Sequence, residues 1–276
     1  MSESTLCRNC GAEVAQDYCP ACGQRKHERV TMRYVFRRLL GDLTDVNSGF
    51  LFTMWRLTVG PAAAIQEYID GRRKVYTNPF KYSFILAAAF IAILQLTGNA
   101  GDIERDLKAG FANGRVESAD PAENKFAQHV GEHFIVFLEF IKNYINILLM
   151  LLIPIPAFFT WQVFRNQGLN FAEHLILNAY IFAQQLLLFV PFQLAQFWMA
   201  RGSAHQIIGF CYSLVSFGYY VWVIMALFPA VPFGKRLWRV VLSFILTMIL
   251  FSVVLVGAVG LIAIGVNLSV YFDEHY

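Results

Sequence analysis

The chain has 276 residues, of which 57% are hydrophobic and only 15% charged, with a formal net charge of +3. Soluble domains run about 45–50% apolar and about 25% charged, so a soluble core of this length would lack the polar residues to cover its surface. These figures argue against a soluble enzyme, a disordered protein or a disulfide scaffold. They leave an all-α polytopic membrane protein with a small polar appendage.

Residues 1–27 form that appendage. Cys7-x-x-Cys10 is followed, eight residues on, by Cys19-x-x-Cys22. Two such pairs can place four thiolates tetrahedrally around one ion, at a Zn–S distance of about 2.3 Å. Gly11 and Gly23 each follow a second cysteine and permit a positive φ there. So short a segment cannot fold on its own apolar burial, and metal binding can supply the missing free energy. A disulfide reading conflicts with a reducing cytoplasm, and a redox pair normally belongs to a larger thioredoxin-like unit. The expectation is a structural site for Zn2+, in preference to iron, with four protein ligands and no vacancy for catalysis. Cys211, inside a later apolar stretch, reads as a small packing residue.

Residues 28–78 read as an amphipathic, juxtamembrane segment. Val35, Phe36, Leu39, Leu40 and Leu43 recur at helical spacing, with Arg33, Arg37, Arg38 and Asp42 elsewhere on the wheel. The run from Gly49 to Val59 is apolar, too short to span, and interrupted by Arg56, which suits an interfacial or bundle-packed helix. Pro61 opens a short helix that Gly71 can close, and Arg72, Arg73 and Lys74 follow. Arg33, Arg37, Arg38, Arg56, Arg72, Arg73 and Lys74 are candidates to meet anionic lipid headgroups or a protein partner, at about 1 kcal/mol each near the surface. The competing reading is that they only fix orientation. Nucleic acid is a poor partner, because the head is nearly neutral and the basic residues lie where the bilayer surface should be.

Residues 79–276 read as a transmembrane helical bundle. Five stretches approach the roughly 20 apolar residues a span needs: Phe80–Thr97, Ile141–Phe164, Leu175–Met199, Ile207–Phe228 and Leu237–Val266. Asn78 and Pro79 are cap and first residue of the first span. Pro154, Pro156 and Pro191 predict kinks. Basic residues crowd ahead of the first span, whereas the loop near 98–133 is acidic, with Asp102, Glu104, Asp106, Glu117, Asp120, Glu123 and Glu132 against four basic residues. The loop between spans four and five is expected to carry Lys235, Arg236 and Arg239, and the tail after Tyr271 has no Lys or Arg. The pattern implies a bacterial inner (plasma) membrane protein with its N-terminus cytoplasmic and its C-terminus external. Residues 1–20 hold no apolar run of signal-peptide length, so the first span is expected to act as its own insertion signal.

Polar residues recur at membrane depth. Glu139, Lys142, Asn143 and Asn146 mark the second span, and Glu173, His174, Asn178, Gln184, Gln185, Gln193 and Gln196 the third. They could line a groove for substrate, proton or headgroup, but hydrogen bonding between helices is the favoured reading. Glu139 and Glu173 lie near opposite surfaces, where both are expected to be hydrated. Gly209 with Ser213, and Gly257, Gly260 and Ala263, permit close helix approach, with a homo-oligomer as another use of the same faces. No nucleophile elbow, phosphate loop or His-Glu-x-x-His helix occurs, so no catalytic residue is assigned and an enzyme is disfavoured.

From Cys7 to about Phe80, somewhat over a quarter of the chain, the sequence resembles the bacterial domain-of-unknown-function family 3667. The matching elements are the cysteine pairs, Cys22-Gly23-Gln24, Arg29-Val30-Thr31, Gly49-Phe50-Leu51-Phe52-Thr53, Leu57, Pro61, Tyr68-Ile69-Asp70-Gly71-Arg72-Arg73 and Pro79-Phe80. Gly60 and Ala62 depart from the pattern around the proline, which weakens any inherited role for that loop. The resemblance implies a zinc-ribbon head followed by membrane helices, and it brings no activity. The functional expectation is a membrane-anchored docking or scaffold protein with an unknown protein partner. The alternative is a transporter or lipid-handling protein using the polar second and third spans.

Overall fold

The computed structural model describes residues 5–26, 29–41, 49–97, 144, 147–198 and 203–275. Strands β1 (Thr5–Leu6) and β2 (Glu13–Val14) pair antiparallel, Leu6 opposite Glu13. Helices follow: α1 (Met32–Gly41), α2 (Phe50–Val59), α3 (Pro61–Ile69), α4 (Pro79–Leu96), α5 (Pro154–Phe164), α6 (Phe171–Trp198), α7 (Ser203–Leu227) and α8 (Phe233–His275).

Five helices among the described residues are long and apolar enough to cross a membrane: Pro79–Leu96, Ile147–Gln167, Phe171–Trp198, Ala204–Leu227 and Phe233–Val254. The expected helix start is present at the first: Pro79 is its first residue and the Asn78 side chain accepts the Phe80 amide at 3.0 Å. The second span breaks at Ile153, because Pro154 opens a new helix there and offers no N–H. Residues Glu139, Lys142 and Asn143 lie outside the described residues.

The third span starts earlier than hydropathy alone places it. Asn170 and Glu173 form a reciprocal box: the Glu173 amide donates to Asn170 Oδ1 at 3.0 Å, and the Asn170 amide to Glu173 Oε2 at 2.8 Å. This satisfies two amides at the helix start, so α6 begins at Phe171. The fifth span also starts early. Lys235, Arg236 and Arg239, expected in a loop, stand in the first turns of α8. Arg236 Nη1 reaches the Met225 carbonyl at 2.7 Å and the Phe228 carbonyl at 3.3 Å. A cation thus covers carbonyls at the C-terminal end of α7.

Helix α6 is the axis of the bundle, with every residue from Ala172 to Ile181 buried. It packs against α4, α5 and α7, and α8 packs on α5 and α7. Helices α7 and α8 turn Leu214, Val215, Trp222, Ile245, Met248, Ile249 and Val253 outward. A rim of that composition suits a hydrocarbon surround better than water. Cys211 is on this outer surface rather than packed inside.

The short helices α2 and α3 lie against α6 and, for α3, α7. Thr53 and Leu57 of α2 are buried, while Leu51, Trp55 and Val59, one turn apart, are exposed. That is the two-faced pattern expected of a helix in an interface. The α2 entry is tight: a Cβ on Gly49 would lie 2.6 Å from the Val75 carbonyl oxygen, so only glycine fits.

Candidate metal centre

The head is built from two similar knuckles. In the first, the Gly11 amide donates to the Cys7 carbonyl at 2.9 Å and the Cys7 amide to Ala12 at 2.8 Å. In the second, the Gly23 amide donates to Cys19 at 2.9 Å and the Cys19 amide to Gln24 at 2.7 Å. Both glycines take the left-handed conformation, φ +78° and +69°, that makes each turn possible. The β1–β2 pair carries one knuckle, and a single bridge between Tyr18 and Arg25 carries the other.

The turns bring four sulfurs together. Cys7 Sγ lies 3.7 Å from Cys22 Sγ, Cys10 Sγ lies 3.5 Å from Cys19 Sγ, and all four fall within 4.8 Å of one another. A disulfide needs about 2.05 Å, so these are free thiols. A tetrahedron with metal–sulfur bonds of about 2.3 Å has edges of about 3.8 Å, close to the two short separations. The set therefore fits a metal ion without rearrangement of the backbone. The Cys22 amide favours the Cys19 thiolate, lowering that thiol to about 7, and thiolates are the form that ligates. Four protein ligands fill a tetrahedral ion and leave no position for substrate.

Beyond the ligands, two side chains fasten this head to the rest of the molecule. Gln24, two residues after Cys22, donates Nε2 to the Gly71 carbonyl at 2.7 Å and accepts the Arg73 and Lys74 amides at 3.2 and 3.1 Å. One carboxamide thus satisfies three backbone groups of the turn between α3 and α4. Arg29 forks onto Glu173, Nε to Oε1 at 2.9 Å and Nη2 to Oε2 at 3.0 Å, and also donates to the Gly168 carbonyl at 2.6 Å. The carboxylate raises the Arg29 guanidinium above its ordinary value, first through these hydrogen bonds and then by its charge. Next to it, Asn170 Nδ2 donates to the Val30 carbonyl at 2.8 Å.

The basic residues singled out from the sequence divide into two groups. Arg56 and Arg72 share one carboxylate: Arg56 donates to Glu67 Oε1, and Arg72 Nη1 lies 3.0 Å from Glu67 Oε2. The Tyr76 hydroxyl also donates to that oxygen, at 2.8 Å. Arg73 places its guanidinium 4.6 Å from the centre of the Tyr34 ring and donates to the Tyr68 carbonyl at 3.1 Å. By contrast, Arg33 and Lys74 are exposed. Arg37 and Arg38 lie on α1, their side chains outside the description.

Glu173, His174, Asn178, Gln184 and Gln193 of the third span are buried and hydrogen-bonded, whereas Gln185 and Gln196 are half-buried. Gln184 accepts the Tyr82 hydroxyl at 2.9 Å and donates to Thr58 Oγ1 at 2.8 Å, tying α4 and α2 to α6. His174 is fully buried, its Nδ1 3.2 Å from Thr160 Oγ1 and its ring stacked parallel to Phe228. Asn178 donates to Thr160 Oγ1 at 2.9 Å. Glu173, expected to be hydrated, is only 2% exposed. Its charge tolerates this because Arg29 and the Asn170 amide replace water around it.

Gln24 and Arg29 were visible in the sequence only as parts of a family pattern. Local spacing could have found the Asn170–Glu173 box, but nothing local announces a partner for Arg29 lying 144 positions away.

The architecture defines a polytopic helical membrane protein with a four-thiol head. Residues 47–91 match a family described as a protein of unknown function (DUF3667). That segment comprises α2, α3 and much of α4 and leaves the cysteine head outside the match. No curated protein matches the chain, and no solved structure does.

Proposed function

We propose that the chain is a membrane-anchored docking protein of a bacterial inner membrane, whose head holds a structural Zn2+ and presents a fixed surface to a cytoplasmic partner. The attachment of the head carries this reading. Gln24 and Arg29 tie it to two separate connections of the bundle, which fits a surface held at a set height and angle. Three further facts support it. The thiol set is saturated by four protein ligands, as structural zinc sites are. The amides of the third span are spent on contacts between helices. The excess of Lys and Arg before the first span favours a cytoplasmic head.

A photo-crosslinking amino acid at Tyr18, which is 61% exposed on the head, tests the role. Adducts to a defined protein are expected in the natural chain and lost in the Cys7→Ser/Cys22→Ser variant, with membrane insertion unchanged. The same adducts in both would refute docking through the metal head. One zinc per purified chain is expected, and iron in its place would refute the metal assignment alone.

A cavity of about 340 Å³ favours a second reading, lipid handling. Leu149, Ile153, Ile181, Phe182, Phe244 and Met248 line it, with Asn178 and Gln185 at its wall. That volume lies in the usual range for ligand pockets, about 300–1,000 Å³. We place it second because the amide of Gln185 already donates to the Ser216 carbonyl, as that of Asn178 does to Thr160. A co-purifying lipid lost on Ile181→Trp would raise it to first.

A further inference from the structure

The start of α4 and the residue just ahead of its cap hold two side-chain groups without a hydrogen-bond partner among the described residues. Tyr82 donates to Gln184, and Ser83 Oγ bonds the Ala179 carbonyl at 2.9 Å. The Thr77 amide donates to Thr53 Oγ1 at 2.8 Å, and the Thr77 carbonyl accepts the Tyr180 hydroxyl at 2.6 Å. Yet among the described residues Lys81 Nζ and Thr77 Oγ1 have no hydrogen-bond partner. Both residues are buried, Lys81 at 4% exposure and Thr77 at 1%.

A buried ammonium without a counter-charge is among the most unfavourable arrangements a fold can hold. The described carboxylates near this end of the bundle are committed elsewhere. Glu67 serves Arg56 and Arg72, Asp70 accepts from Gln66 at 3.0 Å, and Glu173 serves Arg29. The counter-charge therefore has to come from outside these residues. Lys81 offers three donors and Thr77 a hydroxyl, four residues apart across the start of a helix of 18 residues. The partial positive charge of that helix end adds to the field of the ammonium. Lys81 is the third residue of the first candidate span, which puts it near headgroup depth, where phosphate is the abundant anion.

We propose that Lys81 and Thr77 form an oxyanion site at the entrance of the first span, which takes the phosphate of a phospholipid headgroup or free phosphate. The site is independent of the docking role: it needs neither the metal nor a protein partner.

The test is thermal unfolding of the full chain, delipidated in dodecyl maltoside, with four additions: none, phosphatidylglycerol, inorganic phosphate, and a galactosyl diacylglycerol lacking phosphate. Phosphatidylglycerol is expected to raise the Tm of the natural chain by about 3 °C or more, and Lys81→Arg to keep most of that rise. Lys81→Met should lose most of it while unfolding no earlier than the natural chain without lipid, since it removes an unpaired buried charge. An equal rise with inorganic phosphate supports the site and identifies free phosphate as its ligand. A rise of the same size with the galactolipid, or in Lys81→Met, overturns the proposal. Should Lys81→Met fail to fold, Thr77→Val replaces it under the same criterion, and a natural chain insensitive to every phosphate source overturns the proposal without any variant.

Discussion

Replacing Arg29 by alanine isolates the link between head and bundle. The Glu173 side chain is 3% exposed and that of Arg29 60%, so the pair is half a buried ion pair and half a surface one. Breaking a fully buried pair costs about 3–5 kcal/mol, and an exposed pair contributes about 0–1 kcal/mol. The bidentate geometry favours the upper part of that interval. The remaining Asn170 amide and access to water from the Arg29 side pull it down, which leaves about 2 kcal/mol for Arg29→Ala. In thermal unfolding of the detergent-solubilised protein, that is a fall in Tm of about 4–8 °C. Glu173→Gln keeps an oxygen for the Asn170 amide and lets the exposed guanidinium return to water, so its cost should be about 1 kcal/mol. The double variant should then be little worse than Glu173→Gln, a non-additivity that marks direct coupling. An unchanged Tm in Arg29→Ala, or strict additivity in the double variant, would refute the reasoning.

Gln24→Ala should speed hydrogen exchange at the Lys74 amide about tenfold or more, since it loses its acceptor, and less at the Arg73 amide, which also donates to the Gly71 carbonyl at 3.0 Å. Metal content measured by plasma mass spectrometry should stay unchanged, and its loss would show that Gln24 supports the knuckle rather than the link. Removing the metal with a strong chelator should unfold the head, seen as proteolysis near Tyr18, while the far-ultraviolet helix signal changes little. A collapse of that signal would refute the separation of head and bundle. Gly49→Ala forces a Cβ to 2.6 Å from the Val75 carbonyl oxygen, a clash between backbone segments. We expect a loss of about 1–3 kcal/mol in unfolding experiments, and a neutral result would mean that the α2 entry is looser than it stands here.

How much of this could be read beforehand depends on the range of the physics. Hydropathy is a sum over neighbouring residues, so the five spans were legible, as was the start of α4, where cap and proline are adjacent. The cysteine pairs were legible for the same reason: ligand spacing within a knuckle is local, and the glycines after Cys10 and Cys22 declare the turns. The span boundaries moved where a polar side chain has a specific partner. Glu173 looks like a residue for the hydrated surface until Arg29 is placed over it, and Arg236 looks like a loop cation until it meets the end of α7. Lys81 is the sharpest case. In sequence it counts as one more positive charge at the start of the first span, and only burial and a census of its described neighbours set it apart.

The basic residues ahead of the first span were the main argument for both orientation and lipid contact, and the structure separates the two uses. Orientation depends on where Lys and Arg stand along the chain, and internal pairing does not alter that. Attraction to an anionic surface depends on charge left uncompensated within a Debye length of it. Glu67 offsets one of the two charges on Arg56 and Arg72, Glu173 offsets Arg29, and Arg73 lies on an aromatic ring. Arg33 and Lys74, like Lys26 on the head, keep exposed side chains. Lys74 stands in the turn that Gln24 holds, so one of these candidate contacts for anionic lipid is coupled to the attachment of the metal head. A head released from that turn should change the salt dependence of binding to anionic vesicles even though no charge has been removed. Comparing Gln24→Ala with Lys74→Gln in such a titration separates the position of the charge from its presence, and an unchanged salt dependence in Gln24→Ala would show that the two are independent.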